Sequence, residues 1–390
     1  MRDVLFVGRW FPPLVGGVEN YLFELYRRLP PGRADLLLPA EAGAAAFDQA
    51  HPELRVIRVR LPAGVSSAGK RALGPLLGAA LRRLVRPGYR QVHCGHILTG
   101  VAGYLAQRIW GRPYIVFTYG AELTREGLGG LKRLVLRNAT AVVTISRYTT
   151  EQALRLGVRP GRVVVIPPGV DSARYHPDLD GTAIRARHHL GERPVLVTVG
   201  RLAPTARYKG LDTVIQALPA IRRQVGDVAY LIAGTGPDQP WLEALAAEVG
   251  VSAHVIFAGY VPDADLPGYF AAGDVFVLPN RVDPPGTGAA TEGFGMVFIE
   301  AAACGLPVIA GNHGGARDAV VHEQTGLLLD VPDAAHVTEA AVCLLTDRAL
   351  ARRLGAQGRA RVLRAFSWDR SAARLEKLIT LLDQRHSTRI

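Results

Sequence analysis

The sequence predicts an α/β protein made of two successive domains, each built around an open, mainly parallel sheet. The chain has 390 residues, whereas a single core seldom grows beyond roughly 250 residues. Short apolar, strand-like runs alternate with helix-like segments along the chain, which is the pattern of parallel sheets covered by helices. The alternation stops in residues 171–194 and then resumes. We therefore expect the connection between the two domains in that stretch.

The first domain begins with a strand, a loop and a helix. Residues 4–7 form an apolar run, a turn-rich stretch leads to Gly16 and Gly17, and a helical pattern covers 18–29. Further strand-like runs, separated by helix-like segments, occur at 34–38, 56–59, 114–117, 141–145 and 163–166. We assign residues 1–180 to this Rossmann-like domain.

The second domain repeats the same alternation. Its strand-like runs lie at 195–199, 228–233, 254–257, 275–278, 307–310 and 326–329. We assign residues 181–370 to this domain and residues 371–390 to a C-terminal helix that returns to the first domain. Ligands of such open sheets bind beyond the carboxyl ends of the strands. We expect the two sheets to face a central cleft, so the loops after the strands are where functional residues are sought.

The composition indicates a globular protein with a basic surface. Hydrophobic residues make up 48% and charged residues 21%, which excludes a disordered or fibrous chain. The sequence has no apolar run long enough to span a bilayer, and its apolar start is too short for a secretory signal. Three widely spaced cysteines fit neither a disulfide framework nor a Cys-x-x-Cys metal site. We therefore expect a cytoplasmic protein.

The charge balance restricts the class of partner. Lys and Arg total 46 against 34 for Asp and Glu, which gives a net charge of +12. Such a charge favours phosphates, nucleotides, anionic lipids or nucleic acid. Nucleic acid is disfavoured, because the basic residues are not interleaved with aromatic ones and match no nucleic-acid-binding motif.

Two cations follow the first strand of the second series. Arg201 comes directly after this strand, and Lys209 precedes Gly210 and the next helix. A helix N-terminus offers free amide donors and a partial positive charge, so this arrangement is typical of a phosphate site. We expect Arg201 and Lys209 to contact a diphosphate. The alternative is that both are solvated loop cations.

Two glutamates frame a glycine-rich helix start later in the second series. With Glu292 in the loop and Glu300 two turns into the helix, a rise of about 1.5 Å per residue separates them by roughly 12 Å, comparable to a nucleotide diphosphate sugar. One carboxylate can bind ribose hydroxyls and the other sugar hydroxyls, while amides near Gly295 and Met296 face the phosphates. Alternatively, Glu292 is a helix-terminal charge and Glu300 a salt-bridged helix residue. The apolar surroundings of Glu300 favour a functional role, because a carboxylate there needs a partner.

Together these motifs resemble the retaining glycosyltransferases of family 4, which have the GT-B fold of two Rossmann-like, doubly wound domains. The shared features are two acids separated by seven residues, the Gly-Arg-Leu and Lys-Gly motifs, and the Gly-Gly loop near the N-terminus. The resemblance covers nearly the whole chain, through the motifs at 11–19, 167–171 and 325–328. The Glu-Gly-Phe-Gly form that starts at Glu292 is similar to the phosphatidylinositol mannosyltransferase-like branch.

The resemblance implies roles for the residues in these motifs. Glu300 would bind the ribose and Glu292 the donor sugar. Arg201 and Lys209 would hold the diphosphate and stabilise it as it leaves, so these two and Glu292 are the expected catalytic residues. The other expected donor contacts lie at Gly16, Gly17, Gly234, Val261, Gly295 and Met296.

The chain departs from the family pattern in the first domain. Members of the family often carry His-Gly after a strand, where the histidine contacts the donor sugar, but this chain has Tyr119-Gly120. The role then passes to Tyr119 or Glu122, or is lost. His96, at the preceding strand end, is a further candidate for a sugar or acceptor contact. It is equally well explained as a hydrogen-bonded histidine at a strand end.

No metal or other cofactor is expected. Asp263 and Asp265 have the Asp-x-Asp spacing of metal-dependent sugar transferases, but they precede a helix-like segment, where acids are common as N-terminal residues. Arg201 and Lys209 would supply the positive charge that a metal would otherwise bring to the leaving diphosphate.

A basic amphipathic helix is predicted within residues 70–86 of the first domain. Such a face can lie on anionic lipid, which would place the protein peripherally on the inner face of the cell membrane. Alternatively, the helix docks on its own sheet and its arginines are solvated. In the family, this domain handles the acceptor.

The resemblance implies a retaining transferase that moves a hexose, with GDP-mannose favoured as donor, to a hydroxyl of a lipid-linked or glycan acceptor. A UDP-glucose- or UDP-N-acetylglucosamine-dependent transferase with a soluble acceptor is the alternative. A sugar-nucleotide epimerase is less favoured, because Glu292 and His96 make a poor acid–base pair. A nicotinamide oxidoreductase is disfavoured, because Gly8 does not begin a Gly-x-Gly-x-x-Gly motif.

Overall fold

The computed structural model describes residues 3–62, 64–65, 69–86, 88–124, 129–282 and 291–387. Its contacts divide the chain into two compact units. Unit 1 comprises Met1–Gly169 together with Trp368–Ile390, and unit 2 comprises Val170–Ser367. Each unit contains a parallel sheet with helices packed on it.

The sheet of unit 1 has seven strands among the described residues, all paired in parallel. They are β1 (Val4–Val7), β2 (Ala34–Pro39), β3 (Arg55–Val59), β4 (Gln91–Cys94), β5 (Tyr114–Phe117), β6 (Ala141–Thr144) and β7 (Val163–Val165). Their spatial order is β3-β2-β1-β4-β5-β6-β7, so the winding reverses between β1 and β4. At such a switch point the loops after the two strands diverge and leave a crevice for a ligand.

Among the residues that the structure describes, seven α-helices of unit 1 lie between these strands. They are α1 (Gly17–Tyr26), α2 (Ala44–Ala50), α3 (Leu73–Leu84), α4 (Gly100–Trp110), α5 (Ala121–Thr124), α6 (Gly129–Asn138) and α7 (Arg147–Arg155). All residues of β1, β4, β5 and β6 are buried, so helices cover both faces of the central strands. Strands buried on both faces often appear in the sequence as continuous apolar runs, which is why β1, β5 and β6 could be predicted. β4 is not among the predicted runs, because its sequence is Gln-Val-His-Cys.

Unit 2 repeats this topology with six parallel strands in its described part. The strands are β8 (Val195–Val199), β9 (Ala229–Ala233), β10 (Val255–Gly259), β11 (Val275–Leu278), β12 (Val308–Gly311) and β13 (Gly326–Leu329). Their order is β10-β9-β8-β11-β12-β13, with the switch point between β8 and β11. The helices are α8 (Thr182–Arg187), α9 (Leu211–Val225), α10 (Gln239–Glu248), α11 (Leu266–Ala271), α12 (Met296–Ala303), α13 (Ala316–Ala319), α14 (Ala334–Thr346) and α15 (Arg348–Ala365).

The last helix, α16 (Trp368–Ser387), belongs to unit 1 and packs against α1. The ring of Trp368 lies 6.2 Å from the ring of Tyr21. Asp383 accepts a hydrogen bond from Gln91 Nε2 at 2.8 Å and pairs with Arg33 at 3.1 Å. These contacts tie the end of the chain to the start of β4.

The junctions between the units differ from the predicted boundaries at 180 and 370. The chain passes into unit 2 after Gly169, because the Val170 N–H donates to the Phe366 carbonyl at 3.0 Å and the Tyr175 ring packs against Phe270. This stretch contains no strand, so its packing partner cannot be read from periodicity. The return to unit 1 comes at Trp368, where α16 begins.

The fold class predicted from the sequence is confirmed: both units are Rossmann-like and their sheets are parallel. Within the described ranges, no helix is both long enough and apolar enough to cross a lipid bilayer.

Candidate active site

The charged centre of unit 2 lies at the carboxyl edge of its sheet. Lys209 ends a short 3-10 helix, and Gly210, in the left-handed region at φ 76°, turns the chain into α9. Lys209 Nζ donates to Glu292 Oε2 at 2.9 Å, and the two side chains are 12% and 13% exposed. Burial would lower the pKa of Lys209, but the Glu292 carboxylate raises it above its usual value. Lys209 is therefore a cation at neutral pH, held by a carboxylate.

Arg201 adds a second cation at this edge, directly after β8. Its side chain is exposed and forms no hydrogen bond or ion pair with the part of the chain that the structure describes. Its charge acts to lower the pKa of Lys209, as expected for a neighbouring cation. The Lys209–Glu292 pair and the exposed Arg201 together keep a net positive charge, which suits a diphosphate.

A glycine pair after β12 positions the loop that carries Glu292. The Gly315 N–H donates to the Glu292 carbonyl at 2.7 Å. A side chain on Gly314 would collide with the same carbonyl, and one on Gly315 would collide with the backbone of Gly293. The sequence analysis missed these glycines, although adjacent glycines directly after an apolar strand indicate a close backbone approach.

Asn280 connects the loops after β11 and β12. Its side chain is fully buried. Its Oδ1 accepts from the Gly311 N–H at 3.2 Å, and its Nδ2 donates to the His313 carbonyl at 3.0 Å. The sequence analysis missed this residue too. The available signal was a polar side chain immediately after a buried strand.

Glu300 lies in the second turn of α12, which begins with Gly295 in the left-handed region at φ 85° and Met296. Burial raises the pKa of Glu300 to about 7, Arg174 opposes this shift, and Asp263 adds to it. The carboxylate accepts no hydrogen bond from any residue within the described ranges. A half-buried carboxylate without a donor is what a ligand with hydroxyl groups would satisfy.

Arg174 is the cation that lowers the pKa of Glu300. It was not predicted from the sequence. Its guanidinium lies 5.2 Å from the ring centroid of Tyr175. Its Nη2 is buried and has no hydrogen-bond partner in the described part of the structure. Arg174 therefore stabilises the ionised form of Glu300 through charge.

The expected donor contacts Gly234 and Val261 lie in the loops after β9 and β10. A side chain on Gly234 would collide with the Gly200 carbonyl, so only glycine allows these two loops to meet. The Gly234 N–H donates to the Gly259 carbonyl at 2.9 Å. Tyr260 is 62% exposed and Val261 is 8% exposed. Gly234 and Val261 thus lie on adjacent loops at the same edge as Lys209.

In unit 1, Gly16 and Gly17 lie where α1 begins. A side chain on Gly16 would collide with the carboxylate of Glu19, an acid in the first turn of the helix. Acids in the first turn are stabilised by the helix dipole. Local packing does not require a glycine at position 16, because the extended backbone there suits any residue and the Glu19 carboxylate ends a flexible side chain that can move aside.

His96 follows β4 at the carboxyl edge of the unit 1 sheet and is 6% exposed. Its Nδ1 accepts from the Leu98 N–H at 3.0 Å, which leaves Nε2 to carry the proton. Burial and then the charge of Arg9 lower the pKa of His96 to about 3, so the ring is neutral. Nε2 has no partner among the described residues, and is a donor available to a ligand.

Tyr119 and Glu122 are engaged within unit 1. The Tyr119 hydroxyl donates to the Gly95 carbonyl at 2.8 Å. The Glu122 carboxylate accepts from the backbone N–H groups of Tyr119 and Gly120. Burial raises the pKa of Glu122, and these backbone donors oppose the shift. Of the three candidates in this unit, His96 is the one whose polar atom is left for a ligand.

Two further predicted features are the acid pair Asp263 and Asp265 and the basic helix in 70–86. Asp265 stands at the N-cap position of α11, but its side chain makes no capping hydrogen bond. In the described part of the chain, no group of three or more His, Cys, Asp or Glu side chains is arranged so that it could hold a metal ion. The helix predicted in 70–86 is α3, whose apolar side packs on β1, β2 and β3. Arg71, Arg82 and Arg86 are exposed.

Two family profiles cover most of the chain. Residues 180–361 match the profile "Glycosyl transferases group 1", and residues 16–169 match "Glycosyl transferase 4-like domain". A relative from Mycobacterium tuberculosis is 39% identical over 96% of this chain and 97% of its own length. It is named a GDP-mannose-dependent alpha-(1-6)-phosphatidylinositol monomannoside mannosyltransferase.

The chain belongs to the group 1 glycosyltransferases. The resemblance inferred from the sequence is thereby confirmed, and the protein is a glycosyltransferase. A Mycolicibacterium smegmatis relative with the same name is 34% identical over 97% of this chain and 98% of its own. A D-inositol 3-phosphate glycosyltransferase from Salinispora tropica is 29% identical over 96% of this chain and 83% of its own.

Solved structures support the glycosyltransferase fold. HepE from Anabaena, solved with UDP and glucose, has a TM-score of 0.80 and 22% identity over 97% of this chain and 100% of its own. Sucrose-phosphate synthase from Thermosynechococcus elongatus also has a TM-score of 0.80, with 24% identity over 98% of this chain and 99% of its own. At these identities the likeness is one of fold, and it confirms the predicted GT-B class.

Proposed function

We propose that this glycosyltransferase transfers mannose from GDP-mannose to a hydroxyl of a lipid-linked phosphatidylinositol mannoside, with retention and without a metal ion. The observation that carries the chemistry is the charged edge of unit 2, where Lys209 and Arg201 lie with Glu292. The donor and acceptor are taken from the names of relatives that match this chain at 34–39% identity over nearly its whole length.

The diphosphate binds, in this proposal, to Lys209 and Arg201. Lys209 exchanges its contact with Glu292 for the phosphates, and the released carboxylate turns to hydroxyls of the mannose. When the bond between sugar and diphosphate breaks, negative charge grows on the leaving group. Preformed cations aimed at that charge are usually the largest catalytic contribution. The same two cations supply the charge that a divalent ion supplies in metal-dependent transferases.

Glu300 binds the ribose of the donor. Its carboxylate can accept hydrogen bonds from two neighbouring hydroxyls, and these donors would favour its ionised form. Because its pKa is about 7 without ligand, donor binding is expected to weaken as the pH falls below 7.

The acceptor hydroxyl attacks on the face from which the diphosphate leaves, so the configuration of the sugar is retained. A bond forms between the acceptor oxygen and the anomeric carbon while the bond to the phosphate oxygen breaks. That phosphate oxygen takes the acceptor proton, and no dedicated general base is required. In this proposal, His96 Nε2 donates a hydrogen bond to the sugar or the acceptor.

The acceptor in the names of the two mannosyltransferase relatives is phosphatidylinositol monomannoside, a lipid. We propose peripheral contact of this chain with an anionic membrane on its inner face. The exposed Arg71, Arg82 and Arg86 in and beside α3, together with Val85, which is 66% exposed, support this contact. Each basic residue near an anionic surface contributes about 1 kcal/mol. Since the apolar side of α3 packs on its own sheet, the contact would be electrostatic rather than an insertion of this helix.

Calorimetric binding and turnover together test the proposal. GDP, UDP and ADP are titrated into the wild type, Glu300→Gln and the control Glu248→Gln, which alters an exposed glutamate at the end of α10. GDP should bind tightest, at least tenfold more weakly to Glu300→Gln and equally to the control. Mannose from GDP-mannose should then appear on phosphatidylinositol monomannoside in vesicles.

Other outcomes have defined meanings. Preferential binding of UDP would support the alternative transferase that uses a UDP-sugar and a soluble acceptor. Conversion of GDP-mannose without any acceptor would indicate an epimerase. Equal binding by all variants would remove Glu300 from the donor site.

A further inference from the structure

An apolar cavity of about 120 Å³ lies in unit 1 at the carboxyl edge of its sheet. The end of β1, the first half of α3, the turn after β4 and the starts of α4 and α6 form its walls. Aliphatic side chains dominate this lining, among them Val7, Leu76, Leu77, Leu98, Val101 and Leu131. The cavity is therefore suited to a hydrocarbon group.

The cavity is open to the surface. Leu77, Leu98 and Val101 are only partly buried, and Gly74, which also lines the cavity, is exposed. A side chain on Gly74 would meet no heavy atom within 4 Å. Glycine weakens a helix compared with alanine. In the described part of the chain, the cavity is therefore uncovered on the Gly74 side.

The wall of the cavity and His96 belong to the same turn. The Leu98 N–H donates to His96 Nδ1 at 3.0 Å. Thr99, another lining residue, donates from its hydroxyl to the His96 carbonyl at 2.9 Å. A ligand with its apolar part in the cavity would therefore hold its polar part near His96.

The size and surroundings favour one kind of occupant. A dry cavity of about 150 Å³ binds benzene, so by proportion this cavity holds about five carbon atoms. That is too small for a helix of a partner protein. The exposed Arg82 near the end of α3 and Arg86 just beyond it give this side of the unit a positive charge, which suits an anionic lipid surface.

We propose that this cavity binds the first methylenes of an acyl chain of the glycolipid acceptor, beside the turn that carries His96. The inference rests on the proposed function, because it concerns the acceptor of the same reaction. It adds a binding site that distinguishes an acylated acceptor from its head group. The chain would orient the head group at the carboxyl edge of the sheet.

Water-soluble acceptors of graded length test this site without a membrane. The series is glycerophosphoinositol monomannoside with no acyl chain or with one chain of two, four, six or eight carbons, below micelle concentrations. In water, each buried methylene should lower KM and Kd about fourfold. This gain should stop at about five carbons, when the cavity is full.

Two variants of α3 form a matched pair. Leu77→Trp fills the cavity, whereas Leu81→Trp introduces the same side chain one turn later on this helix, at a partly buried position that does not line the cavity. Leu77→Trp should abolish the dependence on chain length and leave turnover of the unacylated acceptor unchanged. Leu81→Trp should keep the wild-type dependence.

Leu77→Ala gives an independent measurement if the tryptophan variant does not fold. It enlarges the cavity by about three carbons, so the gain in affinity should extend to chains of about eight. A KM and Kd that do not depend on chain length in the wild type would overturn the proposal. So would equal effects of the two tryptophan variants.

Calorimetric binding of the same series separates this proposal from the proposed function. If no acceptor receives mannose from GDP-mannose, the proposed function fails. A Kd that depends on chain length in the wild type but not in Leu77→Trp would still establish the cavity as an acyl site. Transfer to every acceptor with equal KM would keep the proposed function and reject the acyl site.

Discussion

Units 1 and 2 share one sheet topology but carry opposite chemistry at the carboxyl edge. In both, the winding reverses beside the first strand, at β1/β4 and at β8/β11. In unit 2 this edge carries the Lys209–Glu292 ion pair, exposed Arg201 and the half-buried Glu300. In unit 1 it carries neutral His96 and an aliphatic cavity.

The difference shows that topology and loop residues decide different things. A doubly wound sheet determines where a ligand can bind, because the loops diverge at the switch point. The residues in those loops determine which ligand binds. Cations without full compensation favour a nucleotide diphosphate, while a neutral donor beside a hydrocarbon cavity favours a lipid acceptor. Each prediction below tests one side of this contrast.

The largest expected effect is on the charged edge. Lys209→Met removes the buried cation from the leaving diphosphate, and kcat should fall by about 10² to 10³. Lys209→Arg keeps the charge and should retain a larger part of the activity. Single-turnover rates at saturating donor provide the measurement. Lys377→Met, which changes an exposed lysine of α16, is the control and should be as active as the wild type.

A small effect of Lys209→Met would contradict the contrast between the two units. Thermal unfolding has to accompany the assay, because the substitution leaves Glu292 without its cation. Leaving a partly buried carboxylate unpaired lowers stability. Loss of activity can be attributed to the missing Lys209 cation only where the variant remains folded.

Glu300 should lower the stability of the fold at high pH. Its pKa in the folded protein is about 7, above the ordinary value of 4.5. Between these values the folded state binds more protons than the unfolded state, so stability falls as the pH rises from 4.5 to 7. Glu300→Gln should therefore be more stable than the wild type at pH 8 by on the order of 2 kcal/mol, and equally stable at pH 4.

Urea unfolding at the two pH values measures this difference. Glu248→Gln should show none, because that glutamate is exposed. If Glu300→Gln were no more stable than the wild type at pH 8, the ionised Glu300 carboxylate would not destabilise the fold. Its assignment as a ribose ligand would then lose its physical basis.

The sequence predicted the elements that periodicity encodes. Most buried strands of the two sheets are continuous apolar runs. Lys209 and Glu292 shortly precede the helices α9 and α12, and Glu300 lies inside an apolar helix. Contacts between distant loops were not predictable in this way. Asn280 bonds to Gly311 and His313, and no pattern of spacing joins them.

The departure at Tyr119 shows a second limit of sequence reasoning. A tyrosine at a position where the family carries histidine suggested a substitute with the same role. The bond from its hydroxyl to the Gly95 carbonyl depends on how the loops after β4 and β5 meet, and this is visible only in the structure. The same holds for the lining of the cavity, which comes from five separate segments.

Tyr119→Phe tests whether the neutral edge of unit 1 needs this hydroxyl for chemistry. The variant removes one buried hydrogen bond, so it should lower the free energy of unfolding by about 1 kcal/mol. Because the hydroxyl is already bonded inside the unit, kcat should change less than twofold. A fall of kcat beyond tenfold in a folded variant would show that Tyr119 contacts substrate, as the sequence allowed.

The smallest expected effect is that of His96→Gln on the pH dependence of kcat/KM, which should not change. Loss of one hydrogen bond, worth about 1 kcal/mol, should reduce kcat/KM of His96→Gln about fivefold. Because burial holds the pKa of His96 near 3, its protonation does not change between pH 5 and 9. The ratio of wild-type to variant activity should therefore be constant across that range, while the ratio for Glu300→Gln should change near pH 7. An inflection near pH 6.5 in the His96→Gln ratio would mean that the histidine becomes charged in the working enzyme. The edge of unit 1 would then bind an anion as well, and the contrast between a charged donor edge and a neutral acceptor edge would fail.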